Sequence, residues 1–531
     1  MMFVSGLLLS VLLLYPHTPA HGGSILALPG EYSHWLNMRS IMEELVRRNH
    51  TVTVLVPDAS PSINFNNSHD AARFKFLVFK VPFNRAEVHG VTQDFIHFSM
   101  YESHVSTVLQ KLMKIREFLH RVTELGMQQC EAIFKSRQLM ATLQDAAFDA
   151  VLLDPMVMCG DLVADVLGLP LIISLRFSFG GVMERHCGHM VAPPSFVPAA
   201  PLPYSDRMTF VERFLNTLTY VWTSVVTEVF WRMTLDNYYS EVKGITTSAC
   251  RTMGKADIWL IRTFWDFETP RPILPNFKYV GGLHCKPANQ LPEDMEAFVQ
   301  SSGDAGVVVV SFGSMVTNLT TERADVIAAA FAQIPQKVIW RYRGETPTTL
   351  APNTKLYDWI PQNDLLGHPM TRAFVTHGGT NGLYEAIFHG VPLVGVPLFG
   401  DQPDNLARLS HRGAAIILDF NHLTAIELKE ALQAVINQPR YRSSMRRLST
   451  LHRDQPVAPL STAVFWVEFV MRHGGARHLR LASHDLNWFQ YHSLDIGMAV
   501  LFAMITSAAL CWALGRRCLQ GCRRPGREKS E

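Results

Sequence analysis

The sequence predicts two doubly wound α/β domains in tandem, with a single transmembrane helix near the C-terminal end. Three observations carry this. Short apolar runs alternate with helical patterns, once in each half of the chain. A stretch rich in proline, glycine and polar residues, Pro270 to Gln300, separates the halves and reads as a linker. An uncharged run, Ile496 to Leu514, lies near the end. The 531 residues exceed one ordinary core. Lysine plus arginine number 48 against 46 aspartate plus glutamate, so the basic excess of a nucleic-acid binder is missing. A hydrophobic share of 48% with 18% charged residues excludes a disordered chain. The lack of many long apolar runs excludes a polytopic transporter. Eight scattered cysteines without a C-x-x-C pair suggest neither a disulfide scaffold nor zinc.

In the first half, strands are expected at Ser24 to Leu28, Thr51 to Val56, Phe74 to Val81, Phe148 to Leu153 and Leu169 to Leu175. Helical patterns fall at His34 to Arg48 and roughly Glu102 to Phe134. In the second half, strands are expected at Val307 to Ser311, Val338 to Tyr342, Ala373 to Thr376, Pro392 to Pro397 and Ala414 to Leu418. Helices are expected at Thr321 to Gln333, Thr380 to Phe388, Asn405 to Arg412 and Ile426 to Asn437. Such alternation builds a parallel sheet covered on both faces. Phe210 to Met233 mixes aromatics with few charges. It fits a surface helix that touches a membrane as well as one that is buried or lines a pocket.

Met1 to Tyr15 is almost continuously apolar and small Ala20 follows, the pattern of a cleaved secretory signal peptide. The uncharged run at the other end is long enough, at about 1.5 Å per residue, for a bilayer core of about 30 Å. Arg516, Arg517, Arg523, Arg524 and Arg527 follow it, so the tail is expected in the cytoplasm and the body on the lumenal side. Trp488 and Tyr491 precede it as an interfacial belt would. The sequons at Asn49, Asn66 and Asn318 fit a secretory route. Arg527 and Lys529 resemble a dibasic retrieval signal of the endoplasmic reticulum. Cys518 and Cys522 are candidates for acylation, or plain thiols.

The chemistry concentrates in Trp359-Ile360-Pro361-Gln362, His377-Gly378-Gly379-Thr380-Asn381, Glu385 and Phe399-Gly400-Asp401-Gln402-Pro403. His377-Gly378-Gly379 ends a strand and opens a helix, where free amides and bare backbone suit a phosphate. Trp359 offers a flat face for a base, Gln362 an amide beside it, and Glu385 a carboxylate for two ribose hydroxyls. In this order and spacing, the stretch resembles the signature of nucleotide-sugar-dependent glycosyltransferases of the GT-B fold. Ser311-Phe312-Gly313-Ser314, Trp340-Arg341-Tyr342 and the pre-membrane Asp485-Leu486-Asn487-Trp488-Phe489-Gln490-Tyr491 extend the likeness. The whole layout resembles a vertebrate UDP-glucuronosyltransferase.

The resemblance implies two Rossmann-like domains facing a cleft. The divisions it implies are a signal peptide at 1–20, an acceptor-binding domain at 21–285 and a UDP-sugar-binding domain at 286–455. A return helix and pre-membrane segment occupy 456–495, a transmembrane helix 496–515 and a basic tail 516–531. It implies that Trp359 stacks on uracil, Gln362 contacts the uridine and Glu385 holds the ribose. Ser314, His377, Gly379, Thr380 and Asn381 would surround the diphosphate. Asp401 and Gln402 would bind sugar hydroxyls, with Arg341 in the same pocket or in solvent.

Glucuronate carries a carboxylate that glucose lacks, which calls for a cation. Arg262 resembles the arginine of glucuronate-using members; a plain surface arginine is the alternative. No D-x-D motif suggests a metal on the diphosphate, and no resident cofactor is implied beyond the co-substrate UDP-glucuronate. His34 is the implied base, at a helix start that disfavours imidazolium. Asp154, at the end of another strand, would orient it. The implied reaction is an inverting transfer to hydroxyls of apolar phenols, steroids or similar small molecules. The alternatives are a UDP-glucose, UDP-xylose or UDP-N-acetylglucosamine enzyme, or a non-catalytic partner in a homo- or hetero-oligomer. Val464 to Arg472 is implied to cross back onto the N-terminal domain. Pairing among Cys130, Cys159, Cys187, Cys250 and Cys285 is left open.

Overall fold

A computed structural model describes residues 22–316 and 318–522. The expected signal peptide, Arg523, Arg524, Arg527 and the retrieval-like end lie outside them. The chain forms two units, one ending at Leu479 and one starting at Arg480.

The first unit holds two parallel sheets. The N-terminal sheet consists of β1 (Ser24–Leu28), β2 (Thr51–Pro57), β3 (Lys75–Phe79), β4 (Ala150–Leu153), β5 (Leu171–Leu175), β6 (Ile258–Ile261) and β7 (Phe277–Tyr279). Their order across the sheet is β3-β2-β1-β4-β5-β6-β7. The C-terminal sheet consists of β8 (Val307–Ser311), β9 (Lys337–Arg341), β10 (Thr354–Tyr357), β11 (Thr371–Thr376), β12 (Leu393–Gly395) and β13 (Ala415–Ile417), in the order β10-β9-β8-β11-β12-β13. The central strands are apolar runs because helices cover both faces. Every residue of β4 and of Val307 to Val310 is fully buried.

The segment Pro270 to Gln300 is more than a linker. Phe277–Tyr279 pairs with β6 as an edge strand, and Glu293–Gln300 is a helix whose Met295, Phe298 and Val299 join the C-terminal core. The helical region expected from Glu102 starts earlier. It is a helix Arg85–His97, a π-helical turn Phe98–Glu102 and a helix Val108–Phe134. The helix Phe210–Thr234 buries Asn216, Tyr220 and Trp231 and exposes a stripe through Phe210, Phe214, Leu218, Trp222, Val225, Val229 and Met233.

The helix Pro459–His473 packs on the N-terminal sheet. Ala463, Val464, Val467 and Val470 are fully buried in one core with Ile25, Val52 and Ile41. Each buried valine or isoleucine there contributes about 1.5–3 kcal/mol. Glu468 accepts from Arg48 at 3.1 Å and pairs with His50 at 3.2 Å. Two disulfides lie in the first half, Cys130–Cys159 and Cys187–Cys250; Cys285 is free. Asn49, Asn66 and Asn318 are exposed.

The second unit contains a short helix, Trp488–Tyr491, and a long one, Leu494–Cys522. Leu494–Gln520 contains an 18-residue stretch with a mean hydropathy of 2.0 and, among the described residues, is the one helix long and apolar enough to cross a membrane.

Candidate active site

Each sheet has one place where neighbouring strands lead the chain away in opposite directions. It lies between β1 and β4 in one sheet and between β8 and β11 in the other. Open α/β sheets form a crevice there, at the carboxyl ends of the strands. Leu28 pairs with Leu153, so the loops carrying His34 and Asp154 leave the sheet side by side. Ser311 pairs with Thr376, which brings Ser314 and His377 together in the same way. A cavity of about 850 Å³ is lined from both crevices. His34, Arg262, Ser314, Arg341, Trp359, Gln362, His377, Gly379, Thr380, Asn381, Glu385, Asp401 and Gln402 all line it. Asp154 is buried behind His34, at 1% exposure.

His34 lies in the first turn of the helix Ser33–Arg47, and its Nδ1 is 2.7 Å from Asp154 Oδ2. A carboxylate only accepts, so Nδ1 carries the proton and the Nε2 lone pair is free. The other oxygen of Asp154 accepts from the Met156 amide at 3.0 Å. Burial works to raise the Asp154 pKa, but His34 and Arg262 outweigh it and hold the carboxyl below its ordinary value. A Cβ on Gly30 would stand 3.0 Å from His34 Cβ and 3.2 Å from Asp154 Cγ, so this glycine leaves room for the pair.

Arg262 directly follows β6 and is 7% exposed. Its Nη2 lies 3.2 Å from His34 Nδ1 and 3.7 Å from Asp154 Oδ2, and its Nε has no partner. It is therefore no surface arginine. Leu175 pairs with Ile261, so Arg176 stands beside it.

In the C-terminal crevice the backbone does much of the shaping. Gly313 has φ +84°, and a Cβ on Gly313 or on Gly379 would come 2.5 Å from His377 Nε2. The imidazole thus fills the space between two bare glycines. Burial pulls its pKa down to about 4, so it is a neutral ring. Arg341 donates to the Gly313 carbonyl at 2.7 Å and lies 4.8 Å from the Trp359 ring centre. That contact covers one face of an indole that is 60% exposed and leaves the other open for stacking.

Gln362 Nε2 donates to Glu385, whose pKa burial raises to about 7. Gln402 Oε1 accepts from the amides of Leu398 and Phe399, and Asp401 Oδ2 accepts from Asn405 at 2.8 Å and Thr380 at 3.4 Å. Asn381 Oδ1 accepts from Asn37 of the N-terminal lobe at 2.7 Å.

Sequence reading missed several residues at this site. Asn37 ties the lobes through Asn381, and Arg176 ties them through Asn405 at 2.7 Å. Glu268 is fully buried among Arg408, Arg271 and Arg176. Burial acts to raise its pKa, yet the three guanidiniums hold it far below the carboxylate range. The signal for Arg176 was available, an arginine straight after a buried strand, as for Arg262. His284 also lines the cavity; its Nε2 donates to the Asn381 carbonyl at 3.1 Å and its buried Nδ1 has no partner. The N-terminal side of the cavity is apolar, with Leu55, Phe83, Val88, Val91, Phe118 and Val122. No residue of the helix Phe210–Thr234 lines it.

A polar half with a helix N-terminus thus meets an apolar half that carries the His34–Asp154 pair. The model of the family "UDP-glucoronosyl and UDP-glucosyl transferase" matches residues 23–529. The chain is 50% identical over 506 residues to human UDP-glucuronosyltransferase 2A2, covering 95% of this chain and 93% of that protein. It is 51% identical over 494 residues to mouse UDP-glucuronosyltransferase 2A1, covering 92% of each. Among solved structures it resembles the spinosyn forosaminyltransferase SpnP, with a TM-score of 0.57, 16% identity, and 85% of this chain and all of that one covered. It also resembles a UDP-glucosyltransferase from Polygonum tinctorium, with a TM-score of 0.57, 18% identity, and 86% and 100% covered. Those two likenesses establish the GT-B fold, and the family model with the close relatives establishes the rest: the chain belongs to the UDP-glucoronosyl and UDP-glucosyl transferase family.

Proposed function

We propose that this protein is a membrane-anchored enzyme that transfers glucuronate from UDP-glucuronate to hydroxyl groups of small apolar acceptors, giving β-glucuronides. The observation that carries the reading is a preset His34–Asp154 pair opening on the same cavity as the donor motif, with the buried cation of Arg262 beside the pair. His34 Nε2 takes the acceptor proton while Asp154 holds the tautomer and stabilises the imidazolium. The acceptor oxygen attacks C1 of the sugar from the face opposite the diphosphate. The C1–O bond to the diphosphate breaks, and its electron pair leaves on UDP. One displacement inverts the anomeric centre, so no glycosyl-enzyme forms.

Trp359 stacks on uracil, Gln362 and Glu385 hold the nucleoside, and Ser314, His377, Gly379, Thr380 and Asn381 hold the diphosphate. Asp401 and Gln402 bind sugar hydroxyls. The free amides that start the helix Thr380–His389 offset the phosphate charge. No resident cofactor enters this scheme. Phenols and steroids suit the apolar wall, and a wall with few polar partners discriminates weakly, so broad acceptance is expected. The chain would sit in the endoplasmic reticulum membrane as a single-pass type I protein, with a lumenal body glycosylated at Asn49, Asn66 or Asn318 and a short cytoplasmic tail.

The test is an acceptor panel run on membranes with labelled UDP-glucuronate and UDP-glucose side by side. The reading expects transfer from UDP-glucuronate to dominate. Preference for UDP-glucose, UDP-xylose or UDP-N-acetylglucosamine would overturn the donor assignment. No transfer from any of them would point to a non-catalytic partner subunit.

A further inference from the structure

Arg262 stands closer to the catalytic pair than recognition of a donor carboxylate requires. Asp154 Oδ2 is 2.7 Å from His34 Nδ1 and 3.7 Å from Arg262 Nη2, and that Nη2 is 3.2 Å from the imidazole. Once His34 takes up a proton, one carboxylate serves two cations. The two cations also repel each other, Arg262 from a buried position and His34 from one that is 35% exposed. The other charged neighbours do not remove the conflict. Arg176, beside Arg262 at the end of β5, adds positive charge, and Asp401 from the C-terminal lobe adds negative charge. His284, the remaining titratable group facing the guanidinium, is held neutral by burial, with its pKa down to about 4. Glu31, next to the His34 helix, is occupied by Ser60 and Ser62. With the donor absent, the Arg262 guanidinium therefore faces the ring that must take up the acceptor proton.

The missing charge is the one that separates glucuronate from glucose. Arg262 lines the cavity, so a sugar carboxylate there can meet its guanidinium. We propose that Arg262 is a positioning residue that acts through His34: the carboxylate of the bound sugar neutralises its guanidinium and thereby strengthens the base. The donor then does more than supply the sugar. It switches on the imidazole that deprotonates the acceptor, so a donor lacking the carboxylate binds beside a weakened base. This rests on the reading of UDP-glucuronate as the donor.

The experiment uses the full-length enzyme in membranes, with UDP-glucuronate and a simple phenol, between about pH 5 and 9. The profile of kcat/KM for the donor reports groups in the donor-free enzyme, and that of kcat reports the loaded one. In the wild type the acid limb of kcat is expected about one pH unit above that of kcat/KM. In Arg262→Gln the kcat/KM limb is expected to rise towards the kcat limb, and Arg262→Lys to restore part of the gap. A purely structural role would lower activity without separating the limbs. Coincident limbs in the wild type would overturn the proposal by themselves, whether or not the variants fold. The donor reading fails separately: KM for UDP-glucuronate in Arg262→Gln would then stay at the wild-type value, whereas the reading expects a rise of about tenfold or more.

Discussion

At the N-terminal crevice, β1 and β4 end on two side chains that hold each other, His34 and Asp154 at 2.7 Å. At the C-terminal crevice, β8 and β11 end on glycine turns, Gly313 and Gly379, between which the His377 ring is slotted. The same strand order thus serves two purposes. On the proposed reading, one lobe fixes a proton acceptor with a carboxylate buried behind it. The other shapes a bed for a charged ligand with backbone, and keeps its polar side chains paired to one another until a ligand arrives, as Gln362 is to Glu385 and Asn405 to Asp401. The difference teaches where each kind of change should be felt. Alterations of His34 and Asp154 should fall on kcat, those of the second lobe on the donor KM, and Arg262 of the first lobe should affect both.

The largest effect that would sharpen this contrast is expected from Asp154→Asn. Both carboxylate oxygens accept, one from His34 and one from the Met156 amide. An amide cannot do both, and turning its NH2 towards His34 moves the ring proton to Nε2. A fall in kcat of about 10³-fold or more, with donor KM nearly unchanged, is expected from steady-state rates. Trp359→Ala should do the reverse. Loss of a base-stacking face costs about 1–3 kcal/mol, so KM for UDP-glucuronate should rise by roughly 5- to 160-fold with a smaller change in kcat.

Glu385 supplies a pH test of the same lobe. Burial raises its pKa to about 7, so it is largely neutral below that pH and ionised above it. Two ribose hydroxyls donate best to the ionised form. Affinity for UDP-glucuronate, measured by calorimetry without acceptor, should therefore rise a few-fold as pH increases through about 7, and Glu385→Gln should flatten the rise. The smallest effect is expected from Gly30→Ala. Its Cβ would press on His34 and Asp154 at 3.0–3.2 Å, and a loss of a few-fold in kcat with unchanged donor KM would mark the pair as sensitive to tenths of an ångström.

Much of the fold was legible in the sequence where a strand is a buried apolar run closed by a breaker. Ser24–Leu28 and Val307–Ser311 match their expected ends. β6, β7 and β10 were not expected: β6 is a buried run of only four residues, and β7 and β10 are short strands at sheet edges with lysines in them, Lys278 and Lys355. The extended form of these two edge strands comes from pairing with β6 and β9, not from a pattern of their own. The donor motif was legible because its residues are close in sequence and sit on successive strand ends of one sheet. The contact of Arg262 with His34 was not, since 228 positions separate them and only the strand order joins them. The Asn37–Asn381 bridge, at a separation of 344, depends on how the two lobes meet, which no local pattern encodes.

The central claim is that an imidazole prepared by Asp154 deprotonates the acceptor across the cavity from a clamped UDP-sugar. Single-turnover transfer by His34→Ala, with donor binding measured on the same preparation, tests it most directly. The account predicts UDP-glucuronate affinity within about twofold of wild type and transfer slowed by about 10³-fold or more. Transfer within about tenfold of the wild-type rate, with the donor bound as before, would contradict it.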